Sequence, residues 1–118
     1  MHTSSFWRFY HHHDLRLVSI ALKTPDWFQG RRYPALAPRS KMLKMDEEEY
    51  RRKYQGILDR LDPRRVYEDL GADAILLCWE SPGAFCHRRL VAEWLEERLG
   101  VVVPELSANY DQRQNTLF

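Results

Sequence analysis

At 118 residues the chain has room for one compact domain with a real core, and too little for two. Eighteen Lys and Arg against 17 Asp and Glu leave a net charge of +1, so no bulk electrostatic field argues for nucleic-acid binding. No run is apolar enough for a membrane span, and MHTSSFWRFYHHHD lacks the apolar centre of a signal peptide, so a cytoplasmic protein with no membrane partner is expected.

In chain order, residues 1–15 read as an N-terminal segment outside the domain. The apolar run RLVSIAL (16–22) reads as a buried strand that ends before Pro25. Residues 25–43, with three prolines and one glycine, predict an irregular stretch of about twenty residues, a length at which loops tend to be functional or mobile. Asp46 is placed as the N-cap of a helix whose first turn holds Glu47, Glu48 and Glu49, acting as complements to the helix dipole. Tyr50, Tyr54, Ile57, Leu58 and Leu61 share its inner face. Pro63 opens a second, short helix that stops near Gly71.

The clearest strand is DAILLCWE (73–80), apolar at successive positions as in a parallel sheet covered on both faces. A Ser-Pro-Gly turn follows, then a helix with Leu90, Val91, Trp94, Leu95 and Leu99 inward, closed by Gly100. VVVPEL (101–106) reads as a third strand, shortened by Pro104, and residues 107–118 as a flexible tail. The order strand, helices, strand, helix, strand predicts an α/β fold: a small three-layer domain over residues 16–106, with a short, mainly parallel sheet and helices on its faces. Ligand sites in such sheets lie beyond the carboxyl ends of the strands, which brings TPDWF and CWESPGAFCHRR to one rim.

The chemistry of the chain concentrates in FCHRR (85–89), at the predicted passage from strand to helix. A helix start offers unpaired N–H groups and the positive end of a dipole, and a neighbouring arginine adds a planar two-point contact to phosphate or carboxylate. The same field, beside His87, lowers the pKa of a thiol at Cys86. Both cysteines are expected as free thiols, because the cytosol keeps most thiols reduced. Cys86 is the candidate nucleophile, His87 the acid or base, Glu80 a further catalytic candidate and Arg88 the anion clamp. Cys78, Lys23, Trp27 and Arg39 are candidate ligand-binding residues. The bland alternative is a buried cysteine beside two solvated arginines.

A thiol-phosphatase loop does not fit, because the residues six places after the two cysteines are Ala84 and Ala92. His11, His12 and His13 lack chelating spacing, so no metal is expected, and no cofactor is called for. The aromatic and basic mixture of Trp27, Phe28, Arg31, Arg32, Arg39, Lys41 and Lys44 suits base stacking and phosphate contact, or simply a loop pinned by its own aromatics.

AILLCWE, a short Pro/Gly turn and FCHRRLVAEWL together resemble a bacterial, archaeal and phage family, domain of unknown function 488. The similarity extends through VSIALKTPDWFQGRRYPALAPRSKML, covering most of residues 16–106. The resemblance implies a small α/β domain with signature positions Cys78, Glu80, Cys86, His87 and Arg88, and brings no reaction with it. The tail QNTLF resembles the peptide by which bacterial replication and repair proteins bind the DNA sliding clamp. Gln114, Leu117 and Phe118 are therefore the expected partner contacts, with affinity on the order of micromolar. The leading expectation is a DNA-associated or nucleotide-associated protein with an anion pocket, recruited to the clamp by its tail. The alternatives are a non-catalytic adaptor and a transferase of nucleotides or small molecules unrelated to DNA.

Overall fold

Asp46 does what its side chain permits: it accepts the amide of Glu49 at 2.8 Å and starts helix α1, Glu47–Asp59. Asp62 caps helix α2, Pro63–Leu70, in the same way, and Gly71 ends it at φ 93°, a backbone angle that only glycine adopts freely. Helix α3, His87–Leu99, is closed by Gly100 at φ 71°. The computed structural model describes residues 1–10, 12–80 and 85–106, and the predicted tail motif and His11 lie outside these.

Four strands form one parallel sheet: β1 His2–Ser5, β2 Leu17–Ser19, β3 Arg31–Arg32 and β4 Ile75–Cys78, in the order β1-β4-β2-β3. The α/β expectation is met, with two changes in which segments supply the strands. Residues 2–5 enter the sheet and pair along the whole of β4, His2 with Ile75 through Ser5 with Cys78. Thr3, Ser4 and Ser5 have small polar side chains, yet they are buried. Residues 101–106 instead make only one bridge, Thr3 to Glu105, with backbone bonds from Thr3 N–H to Pro104 and from Leu106 N–H to Thr3. Proline at 104 has no N–H to give a ladder, which limits pairing there.

Alternation along the strands divides the core. Val18, Ile20 and Leu76 face one cluster, filled by Tyr54 and Leu58 of α1, Val66 and Leu70 of α2, and Val91 and Leu95 of α3. Leu17, Ile75 and Leu77 face the other, covered by Phe6 and Phe9 of a 3₁₀ turn, Phe28 and Leu106. The long irregular segment contains β3 and two 3₁₀ turns, Pro34–Leu36 and Ser40–Lys44. It is fastened by the Tyr54 hydroxyl, which donates to the Leu36 carbonyl at 2.6 Å. Gly30 passes so close to β2 that an added Cβ would lie 2.4 Å from the Leu17 carbonyl oxygen. No helix among the described residues is long and apolar enough to cross a membrane.

Candidate functional site at the carboxyl ends of β2 and β4

β4 and β2 are neighbours, so their carboxyl ends open onto the same place. Residues 21–23 leave β2 there and residues 79–80 leave β4, while α3 begins at His87 beside them. Between them and the irregular segment lies a cavity of about 350 Å³. Leu22, Pro38, Met42, Leu43, Met45 and Phe85 give it an apolar wall, with Tyr50 and Trp79 as amphipathic surfaces. Its polar groups are Lys23, Glu47, Glu80, His87 and the two cysteines. The position beyond the strand ends is the one that the parallel topology leads one to expect.

The two cysteines are not free thiols, which corrects the sequence expectation. Cys78 ends β4 and Cys86 immediately precedes α3, and this convergence of strand end and helix start joins their sulfurs in a disulfide. The sequence argument rested on compartment, and the meeting of the strand end with the helix start overrides it. Cys86 is therefore no ready nucleophile in this state.

His87 is buried and neutral. One ring nitrogen, Nε2, lies 2.6 Å from the Ile20 carbonyl; a carbonyl oxygen only accepts, so Nε2 carries the proton. Nδ1 is then an open lone pair, 3.7 Å from Cys86 Sγ. Burial lowers the His87 pKa to about 4 and the Arg88 charge adds to this, against the Ile20 bond, which favours the protonated ring. The residue is thus neutral at neutral pH, a weak base whose Nδ1 is open to accept a hydrogen bond.

Arg88 is wholly buried and committed inside the protein. Its Nε and Nη2 donate to the Glu105 carboxylate at 2.9 and 2.7 Å, and its Nη1 donates to Cys78 Sγ at 3.0 Å and to the Glu80 carbonyl at 2.8 Å. The guanidinium therefore clamps the end of β4 to the 101–106 segment rather than lining the cavity. Glu105 is the partner that sequence reasoning missed, and nothing in VVVPEL marks it. Desolvation pushes its carboxyl pKa up, but bonds from Arg88 and Thr3 and the charges of Arg88 and Arg89 hold it below the ordinary range. Arg89, the other arginine of the pair, donates to the Thr3 hydroxyl and the Val103 carbonyl.

Of the remaining candidates, Lys23 and Glu80 line the cavity. Trp27 sits in an aromatic patch, 6.0 Å from Trp7 and 4.9 Å from Tyr10 between ring centroids. Trp79 joins that patch to the cavity, 5.9 Å from Trp7, and its indole N–H donates to the Lys23 carbonyl at 2.7 Å. Arg39 borders an adjoining hollow with Thr24, Arg32 and Tyr33. Tyr50, Trp79 and the Met42–Met45 wall were not singled out from sequence. Glu47, assigned only to the helix dipole, also faces the cavity, where its carboxylate takes Arg51 Nε at 3.1 Å.

Cys78, Cys86 and His87 offer donor atoms within 4.8 Å of one another. With the sulfurs bonded together and a guanidinium against one of them, the set suits sulfur chemistry better than a cation. No curated protein and no solved structure matches the chain. One family model does, described as the active subclade of DUF488-N3. It matches residues 15–99, from two residues before β2 through the last residue of α3, and so takes in both cysteines, His87, Arg88 and every residue of the cavity wall: this chain belongs to the DUF488-N3a family.

Proposed function

We propose that this protein is DNA-associated or nucleotide-associated and accepts a nucleoside or a nucleoside monophosphate in the cavity beyond β2 and β4. The observation that carries the reading is the lining itself, an aromatic and thioether wall from Tyr50, Phe85, Trp79, Met42 and Met45 with a few polar groups at its margin. A base has apolar faces and a polar edge, and such a wall suits the faces while Glu47, Glu80 and the Tyr50 hydroxyl suit the edge. Lys23 and the opening turn of α3, whose N-cap Cys86 makes no side-chain cap bond, are the groups for one phosphate. Two glutamates against one lysine disfavour a triphosphate. Trp7, Tyr10, Trp27 and Trp79 extend the aromatic surface outward, an arrangement on which adjoining bases of a single strand stack.

Titration calorimetry with nucleosides, nucleoside monophosphates, triphosphates and inorganic phosphate tests this. Nucleosides or monophosphates are expected to bind with Kd on the order of micromolar to sub-millimolar, with triphosphates weaker. Tyr50→Ala should remove binding. Saturation by phosphate alone, or by none of these ligands, would discard the reading.

Recruitment to the sliding clamp through Gln114, Leu117 and Phe118 is part of the same proposal and rests on the QNTLF sequence alone. Deleting residues 114–118 should abolish clamp binding and leave nucleotide binding unchanged. The rival reading, a binding module without chemistry, draws on the burial of Cys86, His87 and Arg88, since side chains locked into the fold are what a purely structural role requires.

A further inference from the structure

We infer that Cys78 and Cys86 form a reversible dithiol–disulfide couple served by the cavity, in which Cys78 is the attacking thiolate, Cys86 the resolving thiol, and a low-molecular-weight disulfide the oxidant. The inference concerns the cavity's sulfur wall and stands whether or not a nucleotide binds there.

Four groups carry it. Arg88 places Nη1 3.0 Å from Cys78 Sγ, and Glu105 and the Glu80 carbonyl fix that guanidinium in position. A permanent cation held against a buried sulfur favours its ionised form, so opening the disulfide leaves the negative charge on Cys78. Arg51 and Arg89 border a hollow beside Cys86, but among the described residues their hydrogen bonds go to Glu47, Thr3 and Val103 and none to its sulfur, which has instead the His87 Nδ1 lone pair at 3.7 Å, oriented by the Nε2 bond to Ile20. Such a nitrogen accepts the hydrogen bond of a thiol and takes its proton only as the sulfur attacks. Both cysteines and His87 line the cavity, so a small disulfide has a way to them. The other charged or titratable groups around the pair are Glu80, Glu47, Lys23 and Tyr50 on the cavity walls, Arg51, Arg89 and Glu93 around a second hollow that Cys86 borders, and Glu105 behind Arg88.

The steps balance as follows. The Cys78 thiolate attacks one sulfur of RSSR, forming a Cys78–S–S–R bond and releasing RS⁻, which takes a proton from solvent. Cys86 then passes its proton to His87 Nδ1 and attacks Cys78 Sγ. The Cys78–Cys86 bond forms, and the departing RS⁻ takes the proton from His87. The protein loses two electrons and one proton, solvent supplies the second proton, and RSSR becomes two RSH.

The assignment is the reverse of that from sequence, where Cys86 was the nucleophile, and single-cysteine variants separate the two. Reduced Cys86→Ser and Cys78→Ser proteins, each checked for folding by circular dichroism, are mixed with glutathione disulfide and followed by intact-protein mass spectrometry. Cys86→Ser should accumulate a glutathionyl adduct on Cys78 on the order of tenfold or more faster than Cys78→Ser acquires one on Cys86, because only the former holds a standing thiolate. The reduced wild type should close its internal bond without accumulating the adduct. In the Cys86→Ser background, Arg88→Lys should slow adduct formation. Should that variant fail to fold, the two single-cysteine rates decide alone. Equal rates, a faster Cys78→Ser protein, or a wild type that stays reduced under glutathione disulfide would overturn the inference.

Discussion

The two faces of the sheet are sealed by different means. On one, Val18, Ile20 and Leu76 meet the inner stripes of three α-helices, each with its own cap and hydrogen-bond ladder. On the other, Leu17, Ile75 and Leu77 meet Phe6, Phe9, Phe28 and Leu106, which sit on a single 3₁₀ turn and on irregular chain. The helical face is held by repeated local structure, and the aromatic face by the shape of a few large rings. Phe6 shows the second case most fully: it is wholly buried and makes edge contacts with Trp27, Phe28 and Trp79 at centroid distances of 6.3, 5.5 and 5.1 Å.

The sharpest way to break this comparison is to truncate one residue on each side. Phe6→Ala is expected to cost about 3–5 kcal/mol and Leu95→Ala about 2–5 kcal/mol, so stability alone does not distinguish the faces. Near-ultraviolet circular dichroism does. Phe6→Ala should collapse the aromatic signal of the folded protein, because Trp27 and Trp79 lose the ring they pack on, while Leu95→Ala should leave that signal intact. An unchanged aromatic spectrum in Phe6→Ala would show that the irregular cover holds its shape without its central ring.

The same contrast governs what the sequence revealed. Asp46, Pro63, Gly71 and Gly100 are local signals, each acting within its own stretch of chain, and the helix ends are found where those residues place them. The consecutive apolar run at 75–77 announced a strand covered on both sides, which the two clusters confirm. HTSS carried no such mark. Thr3, Ser4 and Ser5 are small and polar, and they are buried where they pair with β4. At the candidate site, the residue types in CHRR pointed to one location, yet the partners come from other segments of the chain: Glu105 for Arg88, Ile20 for His87, Cys78 for Cys86. No periodicity within a segment encodes a meeting of that kind.

At the junction between the faces, acid provides a graded probe. The folded pKa of His87 lies near 4, below the ordinary 6.5, because burial opposes the imidazolium. Between those values the unfolded chain binds more protons than the folded one, so stability falls as pH falls from 6.5 towards 4, and the loss levels off below that. The amount is about 3 kcal/mol, from the size of the shift. Glu105 adds a second loss in the same direction at lower pH, because its folded carboxyl is held below its ordinary range and its pairing with Arg88 ends once it is protonated. Urea unfolding from pH 7 to 4 should show the first loss in the wild type and a flatter profile in His87→Gln. A His87→Gln profile as steep as the wild type would place the sensitivity elsewhere.

The smallest effect tests the joint between the helical face and the irregular segment. The Tyr54 hydroxyl, fully buried, donates to the Leu36 carbonyl, and the chain from Leu36 runs on through Pro38, Met42, Leu43 and Met45, which wall the cavity. Tyr54→Phe keeps the ring in the core and leaves that carbonyl without its donor, at a cost of about 1–2 kcal/mol in global stability. If α1 is what positions the wall, the variant should also exchange the amide protons of Ala37 and Met42, which donate to Pro34 and Arg39, faster than the global loss accounts for. Exchange that follows global stability alone would mean that the 3₁₀ turns hold the wall by themselves, and that the irregular side of the cavity is as self-supporting as the helices opposite.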